Sequence, residues 1–324
     1  MNRFSFTSLL FACLLLNVTA AHSQTNRRLA MDYLNRGTKE LEAGNLDLAL
    51  AHFNRAIELD HNYAAPYFSR GLVRKRQADY DGAIRDFTRS IELDPLAEGY
   101  LNRGATRKDQ GDRDGAIADY NQAIEINRGY ADAFYNRGIA LDDKGEYQRA
   151  IADFTRAIEL GPASARAFVG RGLARMHQQD ADGALSDYSK AVELNPRSFL
   201  AFFNRSFARK QKGDLEGAIA DLNKALEINP ADVDAWFERG ILRGAQSDLD
   251  GALADYGKTI ELNPNNARAY ANRGMILLLR RQDVAAQKEF DTALRIDSSL
   301  KSDLQKSIDQ IIKAREGPPP ARRP

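Results

Sequence analysis

Cysteine is almost missing from this chain of 324 residues: Cys13 is the only one, and histidine is nearly as scarce, at four. A single thiol allows neither an intramolecular disulfide nor a thiolate metal site. His22, His52, His61 and His177 are scattered, and none forms a pair with metal-ligand spacing, so they read as surface residues. A dominant charge is missing too. The 46 basic and 45 acidic residues nearly cancel and are interleaved, which leaves no electrostatic footprint for nucleic acid or an anionic membrane. No apolar run reaches the ~20 residues of a bilayer-spanning helix. Gly170-Arg171-Gly172 begins like a dinucleotide fingerprint, but Arg175 stands where the third glycine belongs and no strand precedes it. Carboxylates are plentiful, yet they recur with a fixed period and read as structural. No catalytic, metal or cofactor set emerges.

What the chain has is repetition. Gly37, Gly71, Gly104, Gly138, Gly172, Ser206, Gly240 and Gly274 follow one another at intervals of 34 residues, with one interval of 33. Four residues before each stands a ring: Tyr33, Tyr67, Tyr100, Phe134, Phe168, Phe202, Trp236 and Tyr270. Twelve after each stands alanine, from Ala49 to Ala286, and four further on a second ring or Leu222. Pro95, Pro162, Pro196, Pro230 and Pro264 close five units. A period in this range means a solenoid, each unit burying its apolar faces only by stacking on its neighbours. Within a unit, residues 131–144 and 147–160 have apolar spacings of three and four, so each unit is predicted to be two helices. Gly44, Gly111, Gly145 and Gly213 stand where the first helix must stop. Acids such as Asp81 and Asp114 stand at the start of the second helix. Glycine and alanine are expected to face each other between the two helices.

The ordered aromatic, glycine, alanine, aromatic, alanine and proline positions resemble the tetratricopeptide repeat family over residues 30–300. The resemblance implies an all-α fold, an α-solenoid wound as a right-handed superhelix of eight helix-turn-helix units. They are placed at 30–63, 64–96, 97–130, 131–164, 165–198, 199–232, 233–266 and 267–300. Residues 301–316 are expected as a capping helix, with Leu300, Leu304, Ile308, Ile311 and Ile312 as its apolar stripe. Residues 317–324, with three consecutive prolines and two arginines, read as a disordered tail.

Residues 1–23 do not fit the repeat. Arg3, the apolar run 9–16 and Val18-Thr19-Ala20 read as a secretory signal, cut after Ala20 or Ser23, with 24–29 as a short linker. An uncleaved anchor and a lipid-modified Cys13 are the competing readings, disfavoured by the short run and by the bulky Phe11 upstream. A signal on such repeats points to export through an inner membrane into a bacterial periplasm, with no membrane insertion after its removal.

An arginine precedes the small residue in every unit, from Arg36 to Arg273, and an acid stands sixteen residues after it in seven of them, His52 being the exception. Two readings stand. The row is a ladder for anionic ligands, or it pairs with the acids, within a repeat or across the junction. In the family the concave face is lined by residues one and five places after the aromatic. Here these include Phe68, Leu72, Tyr135, Ile139, Val169, Leu173, Phe203, Phe207, Phe237 and Ile241. No lysine or asparagine stands at these two places, so a clamp for a C-terminal carboxylate is not expected. Each of these side chains is equally a groove residue or inter-repeat packing. The resemblance implies a non-catalytic scaffold or assembly factor that binds a protein or peptide in this groove. The alternative is an enzyme or a small-molecule or saccharide binder using the same surface. The partner and the oligomeric state are not named by the sequence.

Overall fold

The computed structural model describes the backbone of residues 6–316 and the side chains of residues 24–315. The expected leader, residues 1–23, falls on residues whose side chains lie outside that description, and the expected tail, 317–324, lies outside it altogether. Among the described residues there are seventeen α-helices and no strand. They are α1 (Phe6–Glu42), α2 (Leu46–Leu59), α3 (Ala64–Arg76), α4 (Tyr80–Leu93), α5 (Ala97–Asp109), α6 (Arg113–Ile126), α7 (Ala131–Asp142) and α8 (Tyr147–Leu160). The next are α9 (Ala165–His177), α10 (Ala181–Leu194), α11 (Phe199–Gln211), α12 (Leu215–Ile228), α13 (Val233–Ala245), α14 (Leu249–Leu262), α15 (Ala267–Leu279), α16 (Asp283–Ile296) and α17 (Lys301–Glu316). The chain divides into two compact units, Met1–Pro162 and Ala163–Pro324. Each holds four helix pairs of an all-α solenoid, and α17 follows the last pair.

One residue both closes the first helix of each pair and opens the second. In the second repeat the Asp79 N–H donates back to the Arg74 carbonyl at 2.9 Å, and the Asp79 carbonyl accepts from Ala83 at 3.0 Å, the first bond of α4. This wrapping puts the preceding residue in the left-handed region. Gly44, Gly111, Gly145 and Gly213 adopt it, as expected, with φ of 79 to 93°. The other four turns use Ala78, Gln179, Ser247 and Arg281 at φ 60 to 64°. Alignment on glycine alone misses these.

Five of the second helices start on a device in which three residues change together. Asp79, Asp112, Asp180, Asp214 and Asp248 cap them by accepting from the N–H of Gly82, Gly115, Gly183, Gly217 and Gly251 at 2.8 to 3.0 Å. A Cβ on any of these glycines would overlap the capping carboxylate. The same five repeats carry an arginine at the end of the first helix, Arg74 in the second repeat, whose Nη1 passes over the glycine to reach Asp86 Oδ2 at 2.8 Å. In the first, fourth and eighth repeats that arginine is Glu40, Leu141 or Leu277, the glycine is Leu48, Arg149 or Ala285, and the cap side chain accepts no bond from a backbone N–H of the helix. The acids expected at the helix starts, Asp47 and Asp81 among them, do lie in the first turn, just after the cap.

Glycine faces the ring of the second helix rather than the alanine. A Cβ at Gly172 would lie 2.6 Å from Tyr188 Cε1, and one at Gly138 would lie 2.9 Å from Phe154 Cε1. The ring lies flat where a side chain would stand, so glycine is required by close approach. Where the sixth repeat has Ser206, the ring is replaced by Leu222, and both are buried. The alanines close the seam beside the rings, eight of them fully buried from Ala49 to Ala286.

Two other expectations change. Residues 24–29 are helical rather than a linker, because α1 continues through them while Arg27 pairs with Asp60 at 2.8 Å and lies over the Tyr63 ring. On α17, Leu304 is buried and Ile308 and Ile311 pack with it against Leu278 and Phe290, but Ile312 is 39% exposed and lies off the stripe. No helix among the described residues is long and apolar enough to cross a membrane.

Candidate functional site

The row of arginines is the first candidate, and its geometry is that of paired side chains. Arg70 donates from Nε and Nη2 to the two oxygens of Asp86 at 2.8 and 2.6 Å, a two-pronged pair between α3 and α4 of one repeat. The pattern returns at Arg103–Asp119, Arg137–Asp153, Arg171–Asp187, Arg205–Asp221, Arg239–Asp255 and Arg273–Glu289. The six aspartates are buried, and a buried carboxylate needs such partners. The remaining Nη1 crosses to the preceding repeat, reaching Asn54, Thr88, Asn121, Ser189 or Asn223 at 2.6 to 3.4 Å. The acid therefore pairs within the repeat, and the junction is bridged by a short polar residue placed one after the ring. Read at the 34-residue period, that position would have revealed the bridge. Each guanidinium also lies over the ring three residues earlier, 4.6 Å away at Trp236 and about 5.5 Å at Phe134. With these contacts made, the row is a clasp.

The second candidate is the face of the first helices turned away from their own second helices. Within the first unit α1 touches α3, α3 touches α5 and α5 touches α7, and within the second α9 touches α11. Second helices have no direct contact of comparable extent, so the first helices lie on the inner side of each stack. All the predicted groove residues lie there. Nine of the ten are half-buried, and Leu173 is 37% exposed. Phe68, Tyr135 and Phe237 rest on the buried rings of Phe87, Phe154 and Tyr256, with centroids 5.6 to 5.9 Å apart. Val169 packs against the buried cluster of Ala184, Tyr188 and Ala208. Phe203 stacks on Phe199 at 5.3 Å and meets Phe207 edge-on at 5.1 Å, while Lys210 lies over Phe207 and pairs with Glu238. These side chains are thus the upper layer of the seam and a solvent-facing surface at once.

Two features of this face escape a reading confined to the two chosen positions. Asparagine stands two places before the small residue at Asn35, Asn102, Asn136, Asn204 and Asn272, on the same side of the helix. Asn272 Nδ2 approaches the hydroxyl of Tyr256 at 3.4 Å. Burial pushes that phenol up to about 12, against the Asn272 bond and with the Asp255 charge adding to it. The other feature is a cavity of about 400 Å³ where α13, α15 and α17 meet, floored by Phe237, Ile241, Met275 and Leu304 and rimmed by Glu238, Arg268 and Asn272. Among the described residues no group of histidine, cysteine, aspartate and glutamate converges as a metal site.

Family models described as tetratricopeptide repeat and TPR repeat match residues 135–199 and residues 37–78, 106–145, 207–247 and 244–279. The chain belongs to the tetratricopeptide repeat family. No curated protein sequence matches it. Among solved structures this repeat protein is similar to a tetratricopeptide repeat protein from Parabacteroides merdae. The identity is 19%, the match covers 77% of this chain and 99% of that one, and the TM-score is 0.59. The C-terminal part of a TPR repeat-containing protein from Cytophaga hutchinsonii is 20% identical, with 74% and 98% covered and a TM-score of 0.59. Pseudomonas aeruginosa pilF is 17% identical, with 63% and 93% covered and a TM-score of 0.57. At these identities the likeness concerns the fold alone.

Proposed function

We propose that this tetratricopeptide repeat protein is a non-catalytic scaffold that binds a protein or peptide segment on the inner face of its first helices. One observation carries the reading. Seven of the eight arginines, from Arg70 to Arg273, are consumed in the clasp, whereas the groove side chains, Phe203 and Phe207 foremost, form a half-exposed apolar layer with polar asparagines beside it. Such a layer gives a partner apolar anchoring sites together with amides that both donate and accept hydrogen bonds. Export to a bacterial periplasm is part of the proposal and rests on the charge, apolar core and small-residue site of residues 1–23.

Photo-crosslinking from the host tests the binding face. A photoreactive residue at Leu173 or Met275 should trap a partner, while one at Glu193 or Glu227, on second helices, should not. Equal trapping from both sides would overturn the assignment. Intact mass of the exported protein tests the address: loss of residues 1–20 or 1–23 supports it, and retention of Met1 or lipid on Cys13 contradicts it.

A further inference from the structure

The only repeat interval of 33 residues leaves a mark in the structure. The connection from α4 to α5 is Asp94-Pro95-Leu96, one residue shorter than its counterparts in either unit. Elsewhere the side chain at the end of the second helix is used up by its own loop. Asp60, Asn127, Asn195, Asn229, Asn263 and Asp297 each accept from the N–H two residues on, at 2.9 to 3.3 Å. In the short loop the Leu96 N–H goes to the Asp94 carbonyl at 2.9 Å. The Asp94 carboxylate is released. The short loop also draws α5 against α4, so that a Cβ at Gly99 would lie 2.9 Å from Ile91 Cγ1, at a position where the five following repeats have alanine.

Between these altered parts lies a cleft of about 220 Å³. Phe68, Leu96, Gly99 and two alanines of α3 give it apolar walls, and Asp94 and Glu98 stand at it with no basic residue in the lining. Neither carboxylate is ion-paired among the described residues. The volume falls below the roughly 300–1,000 Å³ of small-molecule sites and suits one long side chain. Lysine and arginine bury an apolar stem and hold a charged head at the rim.

We propose that this cleft receives a lysine or arginine side chain of a protein partner lying on the inner face of the first unit. The proposal rests on the scaffold reading and adds a charge requirement to it. A random peptide library displayed on phage and selected on the full chain tests both. The expected result is a basic residue at a fixed position in selected peptides. Synthetic copies should lose about tenfold or more in affinity on Asp94→Asn/Glu98→Gln protein. Inserting one glycine between Pro95 and Leu96 should cause a similar loss by restoring the longer loop, with circular dichroism checking the fold. Peptides that bind tightly but carry no basic preference, or ignore both variants, would overturn the cleft assignment and leave the scaffold reading standing. If no peptide binds the unaltered chain, both fall.

Discussion

The side of each first helix that meets its own second helix carries nearly the same residues along the chain, whereas the opposite side varies among the repeats. At the seam the small residue is glycine seven times out of eight, the alanine returns eight times, and the arginine returns eight times. On the inner face the residue after the aromatic runs through leucine, phenylalanine, tyrosine, valine and alanine. The contrast has a physical cause. Seam residues are fixed by each other: when Ser206 takes the glycine position the ring opposite becomes Leu222, and when Arg74 becomes Leu141 the capping aspartate and its glycine change as well. Face residues touch the seam on one side and solvent on the other, so they change singly. Specificity for a partner therefore belongs to the face.

Breaking the seam should have the largest effect. Arg137→Leu leaves Asp153 buried without its two-pronged partner and should lower stability by about 3 kcal/mol. Urea unfolding should show a smaller loss for Arg137→Leu/Asp153→Leu, and equal or additive losses would reject the clasp. Leu222→Phe should cost about 2 kcal/mol by crowding Ser206, and adding Ser206→Gly should return most of it. A smaller effect of opposite sign is expected at the turns. Ala78→Gly and Ser247→Gly relieve left-handed backbone and should raise stability by ~0.5 kcal/mol, since the strain exceeds glycine's entropic cost. The smallest is alkaline. The Tyr256 phenol is pushed up to about 12 by burial, so the stability its neutral form contributes is complete below the ordinary tyrosine pKa of about 10 and lost as pH rises through the folded value. Helix content followed from pH 9 upward should fall later in Tyr256→Phe than in the unaltered chain.

Much of the seam was legible because it repeats. Period, helix pairs, the four glycine turns and the arginine–acid spacing all follow from aligning the chain with itself. The partner of the glycine does not follow from the spacing, which places both the alanine and the ring on the helix opposite, and only the packing distance separates them. The left-handed turns at Gln179 and Arg281 escaped because their side chains give no conformational signal. The face was legible as a set of positions, but its cavity beside α17 and the cleft at Gly99 arise where the repeat stops or loses a residue. Periodicity describes such places least well.

Phe203→Ser/Phe207→Ser, measured for helix content and for affinity toward the crosslinked partner in the same preparation, tests the division between seam and face most directly. The account predicts a chain that stays helical at 25 °C and loses about tenfold or more in affinity, the size of effect that truncating a central interface anchor produces. A double variant that unfolds would place both rings in the core, and one that stays folded and binds as before would remove the partner from this face.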